Sequence, residues 1–163
     1  MIQRIQTIFL FLSAAFMITM VFLPLWQKID VDANEKVSLS ALELVHEKKD
    51  LVSGEVTIVK KIDTYYIAAL AILSALVSIF SIFKYDNRLT QMKIGALNSL
   101  LIGASLGVSA YFILDAEEVF FPQIQSNYLP GFYFTAGALF FNALANRFIR
   151  NDEKLVKSAD RIR

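Results

Sequence analysis

The side chains of this sequence that can do chemistry are few and far apart. Cys is absent, which excludes disulfides, thiolate metal sites and cysteine nucleophiles. His46 is the single histidine; with neither a second histidine nor a cysteine it makes no metal site and no recognisable triad. Asp30-Val31-Asp32-Ala33-Asn34 has the opening ligand spacing of a calcium loop. Such a loop needs Gly at its sixth position and Glu at its twelfth, where this chain has Glu35 and Ala41. Asp115, Glu117 and Glu118 form an acidic group that reads as solvated carboxylates at a helix end rather than a cation site. Phosphate loops, nucleophile elbows and zinc-protease motifs are absent. No catalytic, cofactor-binding or metal-binding residue is assigned, no cofactor is expected, and the chain reads as non-enzymatic.

The remaining polar chemistry is embedded in apolar sequence. Asn98, Asn142 and Asn146 stand within long hydrophobic runs, and the four-residue spacing of Asn142 and Asn146 places them on one helical face. They either line a polar cavity or hydrogen-bond between helices at about 1 kcal/mol or less each; the second reading is preferred. No Asp, Glu, Lys, Arg or His interrupts the apolar runs ahead of Arg147. Ionisable residues in such runs mark proton relays and ion pathways, so proton-coupled transport is disfavoured.

The elements that must position these residues follow from hydropathy. The chain has 163 residues, 56% of them hydrophobic and 19% charged, a membrane composition. About 20 apolar residues span a bilayer as a helix, and four segments meet that need: 5–25, 64–83, 94–114 and 130–149. The first is longer than a signal-peptide core and ends in Pro24-Leu25-Trp26 without a small-residue cleavage site, so it is expected to be retained. In the third, Gly95, Ser99, Gly103 and Gly107 recur every fourth position. That small-residue face allows close helix approach, which matters where lipid supplies no hydrophobic drive.

The segment 28–63 is polar. Ile29-Val31-Ala33, Val37-Leu39 and Val56-Ile58 alternate with polar residues, which predicts three short strands. Ser40-Ala41-Leu42-Glu43 has capping-box spacing and predicts a short helix to about Lys49, and Ser53-Gly54 predicts a turn. The expected whole is an all-α membrane protein: a four-helix transmembrane bundle with a small β-containing cap between helices one and two. A charged tail, 150–163, closes a single domain.

Basic residues set an expected orientation. Arg4, then Lys84, Arg88 and Lys93, then Arg147, Arg150, Lys154, Lys157, Arg161 and Arg163 fall at one end of the helices, while the connection between helices three and four has none. Both termini are therefore expected in the cytoplasm, with the cap outside. Trp26, Tyr65, Tyr66, Tyr111, Tyr128 and Tyr133 then form an aromatic belt near the outer interface. The tail's basic residues alternate with Asp152, Glu153 and Asp160, which fits attraction to anionic lipid and not nucleic acid.

The opening Met1-Ile2-Gln3-Arg4-Ile5-Gln6-Thr7 and the closing Asp152-Glu153-Lys154-Leu155-Val156-Lys157-Ser158-Ala159-Asp160-Arg161-Ile162-Arg163 resemble an uncharacterised Bacteroidota membrane family known only as a domain of unknown function. The resemblance implies a multi-pass protein of the bacterial inner membrane with no known activity. The plan is also similar to claudin-type proteins in topology alone, since their loop signature of Trp and paired Cys is missing. The functional expectation is an accessory or scaffold protein that binds a protein partner or a second copy of itself through the cap and helix faces, in contact with membrane lipid. The alternative is a small-molecule or lipid transport component.

Overall fold

The computed structural model describes residues 5–50, 54–85 and 87–160, the side chains of 156–160 excepted. Its elements in chain order are α1 (Ile5–Phe22), β1 (Trp26–Asp30), β2 (Glu35–Leu39), β3 (Glu43–Lys49), β4 (Val56–Asp63), α2 (Tyr65–Phe83), α3 (Arg88–Val119), β5 (Asn127–Tyr128) and α4 (Pro130–Asp160). Three helices, α1, α2 and α3, are long and apolar enough to cross a membrane. Three asparagines and the charged residues from Arg147 onward make α4 more polar, yet it packs along both α1 and α3. Each helix touches two others, α1 with α2, α2 with α3, α3 with α4 and α4 with α1, which closes a ring.

Local chemistry fixes the ends. Asn87 caps α3 by accepting from the Thr90 N–H at 3.0 Å, satisfying one of the unpaired amides of the first turn. Pro130 opens α4, where a missing N–H costs nothing. The α1–α4 contact is close because two glycines allow it. A Cβ on Gly131 would stand 2.8 Å from the carbonyl oxygens of both Leu23 and Pro24, and one on Gly137 would stand 2.7 Å from the Phe16 ring. Phe9 stacks on Phe148 at 5.4 Å and Phe16 meets Phe141 edge to face at 5.0 Å, filling the rest of that seam.

The expected small cap is overturned. The chain forms a five-stranded antiparallel sheet in the order β4-β3-β2-β1-β5, so the fold is α+β rather than all-α. Two strands account for the difference. Glu43–Lys49 is β3 and not the expected helix. The Ser40 hydroxyl does accept from the amides of Leu42 and Glu43 at 3.3 and 3.1 Å, but it also donates to the Glu43 carbonyl at 2.9 Å. That closes a tight turn between β2 and β3, and the next residues gain two strand neighbours instead of a helix. Asn127–Tyr128, from the connection after α3, adds β5 beside β1.

One face of the sheet lies on the helix ends. Trp26, Val37, Leu39 and Leu44 are fully or almost fully buried there with Met17, Met20, Ile67, Ile113 and Ala116. Each such large side chain contributes about 1.5–3 kcal/mol. Trp26 is thus core and not part of an interfacial belt, whereas Tyr65, Tyr66, Tyr111, Tyr128 and Tyr133 are exposed. Backbone bonds tie the connections between sheet and helices: Leu25 N–H to Leu39 O at 2.9 Å, Thr64 N–H to Leu42 O at 2.8 Å, Ala68 N–H of α2 to Ala41 O at 3.2 Å and Gly131 N–H of α4 to Pro24 O at 3.0 Å. Of the expected Ser53-Gly54 turn, Ser53 lies outside the described residues; Gly54 adopts φ +72, which glycine tolerates best.

α1 ends at Phe22, short of the expected residue 25, whereas α3 and α4 extend beyond the expected bounds. α3 continues six residues before and five after 94–114, and α4 runs unbroken through Asp160, so the charged tail is a continuation of α4 over its described part.

Candidate functional site

The structure gathers Asn98 and Asn142 with hydroxyls from α2 and α3. Asn98 Nδ2 donates to Ser78 Oγ at 2.8 Å and to Asn142 Oδ1 at 3.1 Å, and Ser74 Oγ donates to Asn98 Oδ1 at 2.8 Å. Asn142 Nδ2 donates to Ser99 Oγ at 2.7 Å and to the Gly95 carbonyl at 3.0 Å. Asn98, Asn142, Ser74 and Ser78 are all buried. Every nitrogen and oxygen of the two amides has a partner, so the network fastens α2, α3 and α4 to one another.

Asn146 is next to this network without joining it. Its Oδ1 is buried against Gly95 and has no partner, and the residue itself lines a cleft between α3 and α4. That cleft has a volume of about 410 Å3 and is bounded by Ser99, Ala143, Asn146, Arg147, Arg150, Asn151 and Lys154. The cations arise from continuation of α4: positions 143, 147, 150 and 154 fall on one helical face. Arg147, Arg150 and Lys154 are exposed. None of the three makes a side-chain ion pair with a described residue.

The small-residue stripe divides. Gly95 lies inside, against Asn146, and Ser99 bonds to the Gly95 carbonyl at 3.1 Å. Gly103 and Gly107 are exposed, and a Cβ on either would meet nothing within 4 Å. The inward positions of α3 are instead Gln91, Gly95, Asn98, Ile102, Ser105, Ser109, Ile113 and Ala116. A strict spacing of four drifts around a helix that turns every 3.6 residues, which carries the later glycines off the buried face. The glycines that let α4 approach the N-terminal segment, Gly131 against backbone and Gly137 against the Phe16 ring, sit on α4. Their six-residue spacing matches no helical stripe, so the sequence offered no periodic signal for them.

A second polar cluster lies where the sheet meets the helices. His46 is on β3, not on a surface helix, and is 8% exposed. Its Nε2 donates to Glu35 Oε2 at 2.9 Å, and Lys48 Nζ donates to Glu35 Oε1 at 2.9 Å. Bonded first by Lys48 and then by His46, the Glu35 carboxyl is held below the usual carboxylate range. Phe120 and Phe121 meet the His46 ring edge-on at 5.0 and 5.7 Å. Phe121 adopts φ 49, a left-handed conformation costing a bulky residue about 1–3 kcal/mol, and the ring contact is what that conformation delivers.

Lys28 is 2% exposed, with Nζ 3.5 Å from the Glu117 carbonyl in the last turn of α3. Carbonyls there lack helical partners, and a cation complements their dipole. The Ser126 hydroxyl donates to Glu117 Oε1 nearby. The calcium-like run makes a turn: Asp30 Oδ1 accepts from the Asp32 and Ala33 amides, each at 3.0 Å, and Asn34 follows at φ 55. Among the described residues no group of three or more His, Asp or Glu side chains is placed to hold a metal ion.

Apolar helices of spanning length, tied by amides and crowned by a sheet, define an α+β protein of membrane-type hydropathy. The chain belongs to the family described as a domain of unknown function, DUF4293, whose model matches residues 2–162. A comparison with curated proteins gave no match.

Proposed function

We propose that this is a multi-pass membrane protein whose sheet is a platform for a protein partner, and that it works by binding rather than catalysis. α4 crosses the bilayer with the other three helices, both termini and the α2–α3 connection face the cytoplasm, and the sheet lies on the far side of the bacterial inner membrane. The observation that carries this reading is the outward face and free edge of the sheet. Every residue of β4 except Ile62 is exposed, and β4 is an edge strand. Val56, Ile58 and Val59 on it, with Ile29 and Val31 beside the β1–β2 turn, are between 42% and 78% exposed. An unpaired edge is a template for another strand. With Asn98 and Asn142 fully bonded to neighbouring helices and no ionisable residue in the apolar runs ahead of Arg147, a transport role has less support than a binding one.

Photo-crosslinking amino acids at Val31, Ile58 and Val59, introduced into cells one at a time, test the reading. A discrete cross-linked protein at these positions, absent at the buried Val37, is expected. Equal yields at all four positions would contradict it.

A further inference from the structure

The geometry points to a phospholipid site in which the cleft between α3 and α4 holds an anionic headgroup and the open stripe of α3 receives an acyl chain; it rests on the membrane reading above. The cleft joins Arg147, Arg150 and Lys154 in about 410 Å3, and a phosphate needs such charge-assisted donors. These cations have no ion-pair partner among the described residues, so their charge is available. Asp152 and Glu153, close in sequence, are not among the lining residues. Uncharged donors complete the wall, namely Asn151 and Asn146, whose Oδ1 is turned against Gly95.

The level fits a headgroup. Ala143 and Ser99, at one end of the cleft, belong to the apolar part of the helices, whereas Lys154 belongs to the charged extension of α4. Over those eleven positions α4 rises about 16 Å, which takes a ligand from hydrocarbon depth to the aqueous edge. From Ser99 the stripe continues one and two turns along α3 to Gly103 and Gly107, both exposed and free of any neighbour within 4 Å of an added Cβ. An exposed pair of glycines thus leads on from the basic cleft toward the bilayer. A free anion would use only the cleft; a phospholipid uses both. Basic pockets between helices at the cytoplasmic side are where such headgroups bind.

The full chain, purified in mild detergent, is titrated with phosphatidylglycerol, phosphatidylcholine or glycerol 3-phosphate while thermal unfolding is followed. Phosphatidylglycerol is expected to stabilise at concentrations at least about tenfold below phosphatidylcholine, with no shift from glycerol 3-phosphate. The pair Arg147→Gln with Arg150→Gln should abolish the preference, and Arg147→Lys with Arg150→Lys should retain part of it. Gly103→Phe should weaken the lipid response while the lipid-free melting temperature stays unchanged. Equal responses to both phospholipids, or an unaltered preference in the double Gln variant, would overturn the site. An equal shift from glycerol 3-phosphate would make it a free-phosphate site and overturn the lipid assignment. Recovery of the chain in the soluble fraction of cells would defeat the membrane reading itself, a result distinct from a membrane protein with no lipid preference.

Discussion

Asn146 presses its side chain onto Gly95: a Cβ built on that glycine would stand 1.8 Å from Asn146 Oδ1 and 2.7 Å from its Cγ. Nothing larger than hydrogen fits without moving α4 or rotating Asn146. Gly95→Leu should therefore part α3 from α4 and lower stability by about 1–3 kcal/mol or more. Gly103→Leu, at an open position of the same helix, should be neutral or slightly stabilising, because leucine outranks glycine as a helix former by up to about 1 kcal/mol. Thermal unfolding in detergent checks both; a larger loss for Gly103→Leu would mean that this face is packed in the purified state.

Gly131 meets a harder wall. Its would-be Cβ faces the main-chain carbonyls of Leu23 and Pro24, at 2.8 Å each, and its own N–H donates to Pro24 O at 3.0 Å. Backbone cannot rotate away as an aromatic ring can. Gly131→Ala should cost about 1–3 kcal/mol, and more than Gly137→Ala, where only the Phe16 ring must shift. The same unfolding assay, run on both variants, would reject the idea if the order were reversed.

Asn98 is the hub of the amide network, serving Ser74, Ser78 and Asn142 at once. Asn98→Leu strands all three and should cost roughly 1–2 kcal/mol, at the upper end for interhelical hydrogen bonds because several are lost together. Asn142→Leu should cost a similar amount. The double variant should cost less than the sum, since the two residues share a bond. Strictly additive losses would show that the amides act independently.

These residues also mark how far the sequence could be read. The apolar runs announced the helices because hydropathy is a property of composition, and it survives any detail of packing. Asn98 and Asn142 were legible as interhelical groups because their surroundings left them few other partners, whereas Asn146 stays outside their network. Glu43–Lys49 was not legible: Ser40 and Glu43 obey a capping pattern, and only the neighbouring strands decide that Leu44 and His46 face the core. β5 was hidden for a related reason, since Asn127 and Tyr128 gain strand character solely from pairing with Gln27 and Trp26. For the cations of the cleft, the sequence showed charge without showing which residues share a wall.

The Glu35 carboxyl gives the sheet a pH dependence of known sign. Bonds from Lys48 and His46 hold its folded pKa below the unfolded 4.5, so the folded protein binds this proton less readily. Its stabilising contribution is complete above about pH 4.5 and is lost as pH falls through the lower folded value. Glu35→Gln should therefore reduce stability at pH 7 and flatten the acid limb of the stability curve. Parallel curves for wild type and variant between pH 7 and pH 3 would contradict the assignment.

Topology is the prediction on which the membrane reading depends most. The chain has no Cys, so single cysteines report without background. Asn34 ends the β1–β2 turn and Ser126 lies just before β5, both at the sheet end of the helices; Asn87 lies between α2 and α3, at the opposite end. Basic residues crowd the Asn87 end, at Lys84, Arg88, Lys93, Arg147, Arg150 and Lys154, whereas the α3–α4 connection has none, and positive charge is retained on the cytoplasmic side. Asn34→Cys and Ser126→Cys should then react with an impermeant thiol reagent in cells whose inner membrane is intact. Asn87→Cys should react only after that membrane is broken. Labelling of Asn87→Cys in intact cells would invert the orientation and place the sheet, with its exposed β4 edge, in the cytoplasm.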